Sequence, residues 1–174
     1  MRRTFLKGGS AGVLLGGLVR DPAAQEAMAG PDRRRIRIGQ VGVAHGHASK
    51  IAVYRESPDY EVVGVVEPDA ALRSQAAMQP AFRGLTWMSR EQLLNTPGLD
   101  AVLVESRVRD ALEVAEACVA AGKHVHLDKP AGSSLPRFRR ILAAAAEKRL
   151  LVQMGYMYRY SPAVVLLRQV LSRG

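Results

Sequence analysis

Cysteine is almost absent from this chain of 174 residues, which contains only Cys118. A single cysteine cannot form an intramolecular disulfide, and it excludes a zinc site built from several thiolates. Cys118 falls in a segment of helical pattern, where we expect a small buried apolar side chain. Stability must therefore come from an ordinary hydrophobic core, and a hydrophobic content of 48% is enough for one.

Aromatic residues and long apolar runs are also scarce. Aromatics make up 5% of the chain, although its formal net charge is +9. Nucleic-acid binding usually requires clustered cations with aromatic platforms between them, and these cations are scattered apart from Arg33, Arg34 and Arg35. We therefore expect no nucleic-acid partner. No run reaches the roughly 18 apolar residues of a spanning helix, so we expect no stable membrane insertion.

The N-terminus has the features of an export signal. Residues 2–7 read Arg-Arg-Thr-Phe-Leu-Lys, and an uncharged, glycine-rich stretch follows at 8–19. This resembles a twin-arginine signal, with small residues before a cleavage point after Ala29. We predict that residues 1–29 direct the protein to the periplasm and are then removed. A short basic, disordered terminus is the alternative.

Strand and helix patterns alternate after a polar linker at residues 30–35. We predict strands at 36–43, 61–67, 85–88, 100–105, 123–128 and 150–154. We predict helices at 46–57, 69–78, between Ser89 and Pro97, at 109–121, at 135–148 and from Pro162 onward. Strict alternation is typical of an α/β fold with a doubly wound parallel sheet, the Rossmann type, here over residues 36–155.

In such a sheet, ligands bind at the carboxyl ends of the strands where the strand order reverses. The first of these loops contains Gly42, Ala44, His45, Gly46 and His47. Gly42 fits the tight turn of a dinucleotide fingerprint, whereas Ala44 and His47 stand at its other two glycine positions. The loop is therefore a candidate pyrophosphate site. An ordinary strand-to-helix turn without a nucleotide is the alternative.

The strand predicted at 61–67 ends at an acidic residue. The carboxylate of Glu67 can accept hydrogen bonds from the hydroxyls of an adenosine ribose. A carboxylate there would repel a 2′-phosphate, so the sequence favours NAD over NADP. A strand-end cap in front of Pro68 and Asp69 is the alternative, and the sequence alone does not separate the two.

The segment from Gly122 to Pro130 reads Gly-Lys-His-Val-His-Leu-Asp-Lys-Pro. It resembles the signature of the Gfo/Idh/MocA oxidoreductases, and residues 100–102 and 155–162 are similar to the same family. The resemblance covers residues 36–174. It implies a nicotinamide dinucleotide cofactor and hydride transfer to or from a hydroxyl or carbonyl of a sugar or polyol.

The resemblance also implies roles for individual residues. The family's acid-lysine-proline lysine lies near the nicotinamide and the reacting hydroxyl, and that position here is Lys129. An ammonium group there can stabilise charge that develops during hydride transfer. Asp128 replaces the commoner glutamate, and Pro130 matches a proline that is often cis. A solvated turn lysine is the alternative for Lys129.

The loop after predicted strand 100–105 departs from the family pattern. Where the family usually has Thr-Pro and then a histidine, this chain has Ser106, Arg107 and Ala111. We therefore predict that Glu105, Ser106 and Arg107 line the nicotinamide side with a different geometry. This departure keeps open a non-redox nucleotide-binding module or an NAD-using glycosidase on the same scaffold.

Four histidines, His45, His47, His124 and His126, raise the question of a metal site. His124 and His126 share one face of a predicted strand, but that face belongs to a buried parallel sheet. No carboxylate triad accompanies them in the sequence. We therefore expect no metal site.

Family members carry their catalytic acid-base pair in a second, α+β substrate domain. This sequence ends at Gly174, so residues 156–174 are predicted to begin the connection to that domain. The helix there has an apolar stripe with little to pack against. We expect the front part of a longer oxidoreductase, with a cofactor-binding remnant as the alternative. Any homo-oligomer would depend on the absent half.

Overall fold

The computed structural model describes residues 34–156, 158–159 and 161–173. The predicted export signal and residues 30–33 of the predicted linker lie outside the described residues. The last two linker residues contact the domain. Nη2 of Arg34 lies 2.7 Å from Oδ1 of Asp100, and Nε of Arg35 donates a hydrogen bond to the carbonyl oxygen of Tyr60.

Five parallel strands form one sheet, in the order β2-β1-β3-β4-β5. They are β1 Ile36–Val41, β2 Tyr60–Val66, β3 Ala101–Val104, β4 His124–Leu127 and β5 Val152–Met154. The strand order reverses between β1 and β3, so the connections that leave their carboxyl ends run in opposite directions and leave a crevice. The predicted parallel Rossmann-type α/β fold is confirmed.

Helices connect and flank the strands. A 3₁₀ turn at Ala48–Lys50 is followed by α1 Ile51–Glu56, α2 Ala70–Ala77, α3 Arg90–Leu94, α4 Val108–Ala120, α5 Leu135–Glu147 and α6 Pro162–Ser172. A capping box starts α3, where the side chains of Ser89 and Gln92 each accept from the other's backbone N–H. In the same way, the carboxylate of Asp69 caps α2 by accepting from the backbone N–H of Ala71 and Leu72.

Two clusters of buried side chains form the core. The larger packs α4 and α5 against β3 and β4, and it contains Cys118, which is fully buried. The smaller packs Ile51, Val65 and Phe82 around α1, α2 and β2. Burial raises the pKa of the Cys118 thiol to about 12, so this side chain behaves as the small apolar residue that its helical position predicts.

The strand predicted at 85–88 is wrong, because the segment makes only an isolated parallel bridge between Trp87 and Val65. Val65 donates its N–H to the carbonyl oxygen of Thr86 and accepts from the N–H of Met88. A turn at Gly84, with φ of +74°, precedes the segment. Ser89, the N-cap of α3, follows the segment directly. The segment therefore has too few residues to extend its pairing with β2.

The helix predicted at 46–57 starts later than expected. It begins as the 3₁₀ turn at Ala48, because residues 44–47 form the loop that leaves β1. That loop is where the candidate site residues lie.

The last helix, α6, exposes much of its apolar surface: Leu166, Leu167, Val170 and Leu171 are all more than half exposed. Ser161 precedes it without the side-chain capping bond that the sequence predicts. Among the described residues, no helix combines the length and the hydrophobicity that crossing a membrane requires.

Candidate functional site

The turn after β1 brings two loops into contact at Gly42. Gly42 has φ of +94°, and a Cβ built on it would lie 2.4 Å from both Cα and N of Ser106. Both the backbone conformation and the close approach therefore require glycine. This is the role that a dinucleotide fingerprint gives to its first glycine.

The other two fingerprint positions are built differently. A Cβ on Gly46 would meet nothing within 4 Å, so the displaced glycine is not needed for packing. His47 stands at the third glycine position and immediately precedes the 3₁₀ turn. The loop therefore keeps the first glycine of the fingerprint, and residues with side chains, Ala44 and His47, occupy the other two glycine positions.

A cavity of about 730 Å³ lies beside this turn, at the ends of β1, β2 and β3. This volume is within the roughly 300–1,000 Å³ of small-molecule sites. Five of the predicted cofactor residues line it, and so do two arginines that the sequence did not single out. The lining includes Gly42, Ala44, Glu67, Ser106, Arg107, Arg73 and Arg90.

Glu67 ties the two loops at this cavity together. Its Oε2 accepts from the N–H of Val43 at 3.0 Å, and its Oε1 accepts from the N–H of Asp69 at 3.0 Å. Glu67 is thus a strand-end cap, the alternative that the sequence left open. It also lines the cavity, and each carboxylate oxygen has a further lone pair for a ligand hydroxyl.

A cluster of charged side chains lies at the ends of β3 and β4, and Lys50 is at its centre. Its Nζ lies 2.5 Å from Oε1 of Glu105, 2.7 Å from Oδ2 of Asp128 and 2.8 Å from Nε2 of His126. The carboxylate side chains of Glu105 and Asp128 are 0% and 3% exposed. Lys50 therefore neutralises part of a buried charge.

The two carboxyl groups differ in their affinity for a proton. Burial raises the pKa of Glu105 to about 7, although the ion pair with Lys50 opposes this rise. Burial would also raise the pKa of Asp128. Hydrogen bonds from Lys50 and from the backbone N–H of Lys129 outweigh it and lower that pKa to about 2. Asp128 therefore holds its proton less tightly than Glu105 does.

His45 and His47, predicted to contact a pyrophosphate, face this cluster. Nδ1 of His45 lies 3.4 Å from Oε2 of Glu105 and 3.5 Å from Oδ2 of Asp128. Nδ1 of His47 lies 3.2 Å from the same Oδ2. The sequence shows no carboxylate triad beside the histidines, but two carboxylates lie next to His45 and His47 in the structure. The fold brings both carboxylates in from separate strands, and sequence spacing does not show this.

Lys129 lies on a different part of the same sheet edge. It lines a smaller cavity of about 440 Å³ together with Tyr156, Tyr158 and Arg159. The Lys129–Pro130 peptide bond is cis, as the resemblance implied. The predicted site residues are thus distributed along one edge, with Gly42 and Glu67 at the first cavity and Lys129 at the second.

Sequence reasoning missed Lys50, Arg73 and Arg90. Lys50 is three residues after His47 in the predicted helix, a spacing that puts two side chains on one helix face. That spacing could have marked Lys50 as a neighbour of the site. The arginines lie on α2 and α3, and nothing in their local sequence separates them from ordinary surface cations.

The crossover between β1 and β3, the glycine turn and the cavity beside it define a dinucleotide-binding Rossmann domain. Residues 36–156 match the family model of Gfo/Idh/MocA proteins, described as an oxidoreductase family with an NAD-binding Rossmann fold. The chain belongs to this family and carries its NAD-binding domain, as the resemblance implied.

Curated relatives agree with this assignment. Inositol 2-dehydrogenase 1 of Saccharopolyspora erythraea is 30% identical over 141 residues, which cover 80% of this chain and 42% of that protein. Inositol 2-dehydrogenase of Agrobacterium fabrum is 29% identical over 141 residues, which cover 79% of this chain and 41% of that protein. The chain spans about two fifths of the length of these relatives.

Solved structures show the same fold. Biliverdin reductase of Synechocystis sp. PCC 6803, in complex with biliverdin and NADP+, is 25% identical with a TM-score of 0.67, over 79% of this chain and 43% of that chain. The 3-ketoreductase KijD10 of Actinomadura kijaniata, in complex with TDP-benzene and NADP, is 24% identical with a TM-score of 0.70, over 81% of this chain and 44% of that chain.

Proposed function

We propose that this chain is the nicotinamide-dinucleotide-binding part of an oxidoreductase that transfers hydride to or from a hydroxyl or carbonyl carbon of a sugar or polyol. The observation that carries the proposal is the cavity at the β1/β3 crossover, which is walled by the Gly42 turn and by Glu67. The substrate class is supported by the relatives named inositol 2-dehydrogenase. The bound cofactor would supply or accept the hydride.

The described residues fit a dinucleotide in several ways. Gly42 lets the backbone turn at the cavity wall, and Arg73 and Arg107 provide positive charge for phosphate groups. Glu67 offers a carboxylate to the ribose hydroxyls. Lys129, on the neighbouring cavity, would donate a hydrogen bond to the reacting oxygen and stabilise its charge.

NAD is the cofactor we favour over NADP. Glu67 and Asp69 place two carboxylates on the cavity wall, and a 2′-phosphate would be repelled by them. Two cations of the same wall are paired with carboxylates: Arg107 lies 3.0 Å from Asp69, and Arg90 lies 2.9 Å from Glu113. Contact of either arginine with a 2′-phosphate would require its pair to break, which leaves Arg73 as the cation of this wall for the phosphates.

Fluorescence titration of the purified chain with NADH and with NADPH tests the proposal. The variant Glu67→Gln should weaken NADH binding by about tenfold, the equivalent of one charged hydrogen bond. It should weaken NADPH binding less, because the repulsion of the 2′-phosphate is removed. The change in the ratio of the two affinities separates a contact with the ribose from a general loss of loop structure.

Glu61→Gln is the matched control, because Glu61 lies on β2 at the opposite end from Glu67 and pairs with Arg37. We expect this variant to bind both nucleotides as the wild type does. A folded wild-type chain that binds neither nucleotide at millimolar concentration would refute the proposed function.

We also propose that residues 1–29 direct export by the twin-arginine route. The proposal is supported by the Arg2-Arg3 pair and the apolar stretch that follows it. Periplasmic protein should begin at Gly30 by N-terminal sequencing. Replacing both arginines by lysine, which keeps the charge, should retain the chain in the cytoplasm. Unprocessed protein in the periplasm would contradict the proposal.

A further inference from the structure

Two groups of histidine and carboxylate side chains meet at the end of the sheet, and they share Asp128. The first group is Glu105, His126 and Asp128, and the second is His45, His47 and Asp128. In each group, the ligating atoms lie within 4.8 Å of one another. The ammonium of Lys50 already occupies the first group, since it contacts all three of its members. The second group is therefore the one available to a cation.

The donor atoms of the second group have the spacing of a tetrahedral metal site. Zinc–nitrogen and zinc–oxygen bonds of about 2.0–2.2 Å place neighbouring donors of a tetrahedron about 3.3–3.6 Å apart. The distances to Oδ2 of Asp128 are 3.5 Å from Nδ1 of His45 and 3.2 Å from Nδ1 of His47. Oε2 of Glu105 lies 3.4 Å from Nδ1 of His45, but Glu105 groups with His126 and Asp128 instead of with both histidines, so it stands beside the site and not in it.

The hydrogen bonds of His45 orient a lone pair toward this centre. Its Nε2 lies 3.0 Å from the carbonyl oxygen of Lys129, which can only accept, so the ring proton is on Nε2. Nδ1 accepts from the backbone N–H of His47 at 3.3 Å and therefore carries a lone pair, which a bound ion would take over from this long hydrogen bond. A histidine that donates its other nitrogen to a backbone carbonyl is the usual arrangement of a metal ligand.

Glu105 supplies the independent observation. Its side chain is 0% exposed, and among the residues that the structure describes no hydrogen-bond donor reaches its Oε2. A buried carboxylate oxygen without a donor is costly, and here it faces the lone pair of His45. A cation between these atoms would remove the repulsion.

We propose that His45, His47 and Asp128 bind a divalent transition-metal ion of the zinc class. Two imidazoles and one carboxylate, with a fourth position open to water, are a donor set that such ions accept. Access is open, because His47 and Asp128 line a cavity of about 930 Å³ that also reaches Gly46 and Ser49. The ion would join the loop after β1 to the end of β4.

Calorimetric titration of the metal-stripped full chain with Zn²⁺ tests the site. We expect one equivalent to bind, and Co²⁺ in its place should give the visible absorption of a four-coordinate ion. Because His47→Ala and Asp128→Asn each remove a ligand, we expect more than the roughly 10- to 100-fold loss of affinity that removing an outer-shell partner causes. Circular dichroism shows whether each variant is folded.

His124→Gln is the matched control, because it removes a histidine of β4 whose Nδ1 accepts from the N–H of Leu151 instead of facing the cluster. It should bind Zn²⁺ as the wild type does. Lys50→Met should bind Zn²⁺ about tenfold more tightly or better, since the ammonium that competes for Asp128 is gone. If the cluster only stabilised the fold, Lys50→Met would not increase the affinity for Zn²⁺.

Three results would overturn the proposal. They are a folded wild-type chain that takes up no Zn²⁺, a His47→Ala chain with wild-type affinity, and a His124→Gln chain that loses as much affinity as His47→Ala. The titration contains no nucleotide. Its failure is therefore distinct from failure of the NADH titration, and the site does not depend on the proposed oxidoreductase function.

Discussion

Substituting Gly42 by alanine should destabilise the domain strongly, whereas the same change at Gly46 should not. Two costs combine at Gly42. A non-glycine residue at φ of +94° is strained by about 1–3 kcal/mol. The new Cβ would also lie 2.4 Å from Cα and N of Ser106 and 2.6 Å from the carbonyl carbon of Glu105. These are backbone atoms, so they cannot rotate away.

Relieving this overlap requires the loop after β3 to shift by about 1 Å, and overpacking of this kind costs about 1–3 kcal/mol. The total of about 2–6 kcal/mol is a large part of the roughly 5–15 kcal/mol that stabilises a typical domain. For a domain of this size, it corresponds to a fall in Tm of about 6–20 °C. Because Ser106 lines the nucleotide cavity, NADH binding should weaken as well.

The assay is urea denaturation followed by circular dichroism, with the two variants and the wild type measured side by side. Gly46→Ala is the matched control, because its Cβ would meet nothing within 4 Å. A free energy of unfolding for Gly42→Ala within about 0.5 kcal/mol of the wild type would refute the reasoning. Equal destabilisation by both variants would also refute it.

Three further predictions concern the framework around the site. Because burial raises the pKa of Cys118 to about 12, its thiol should not react with a disulfide reagent at pH 8 until the chain is unfolded in urea. Asp100→Asn should cost about 1 kcal/mol at pH 7, since the hydrogen bond from Arg34 lowers the pKa of this carboxyl. That contribution is fully present above the unfolded pKa and is lost as the pH falls through the lower folded pKa, so the difference should shrink at about pH 3 and below. Ser89→Ala should cost about 1 kcal/mol by removing the α3 cap, measured by urea denaturation.

Each of these predictions has a control or an outcome that contradicts it. Reaction of Cys118 in the folded chain would mean that the thiol is accessible. Asp59→Asn is the control for Asp100→Asn. If the loss of unfolding free energy in Asp100→Asn does not shrink at low pH, the ion pair with Arg34 is not its cause. Ser74→Ala is the control for Ser89, because Ser74 lies within α2 and bonds a carbonyl of its own helix. Equal costs for both serines would contradict the capping role.

Much of the fold could be predicted because each strand is a short apolar run between turn residues, and this pattern is local. The segment 85–88 shows where local pattern fails, since four residues between Gly84 and Ser89 read as a strand but form one bridge. Sheet membership depends on how much of a neighbouring strand remains free to pair. That is a property of the assembled sheet and not of the segment.

That Gly42 and Glu67 line one cavity was predictable because both stand at strand ends, which parallel sheets bring together. The cluster around Lys50 was not predictable. Its members come from the loop after β1 and from the ends of β3 and β4, and each side chain could have faced either cavity. The direction in which His45 and His47 point is set by the carboxylates they meet, and sequence spacing carries no information about those contacts.

Two of the places where this chain departs from the family pattern are neighbours in space. His47 stands at the third glycine position and Asp128 replaces a glutamate, and Nδ1 of His47 lies 3.2 Å from Oδ2 of Asp128. The departures in the loop after β3 lie elsewhere, because Ser106 and Arg107 line the first cavity and Arg107 pairs with Asp69. Residues in contact do not act additively, so replacing His47 by glycine and Asp128 by glutamate should have coupled effects on stability. The altered glycine loop and the altered acid-lysine-proline segment are therefore best understood as one change, and the altered β3 loop as a second.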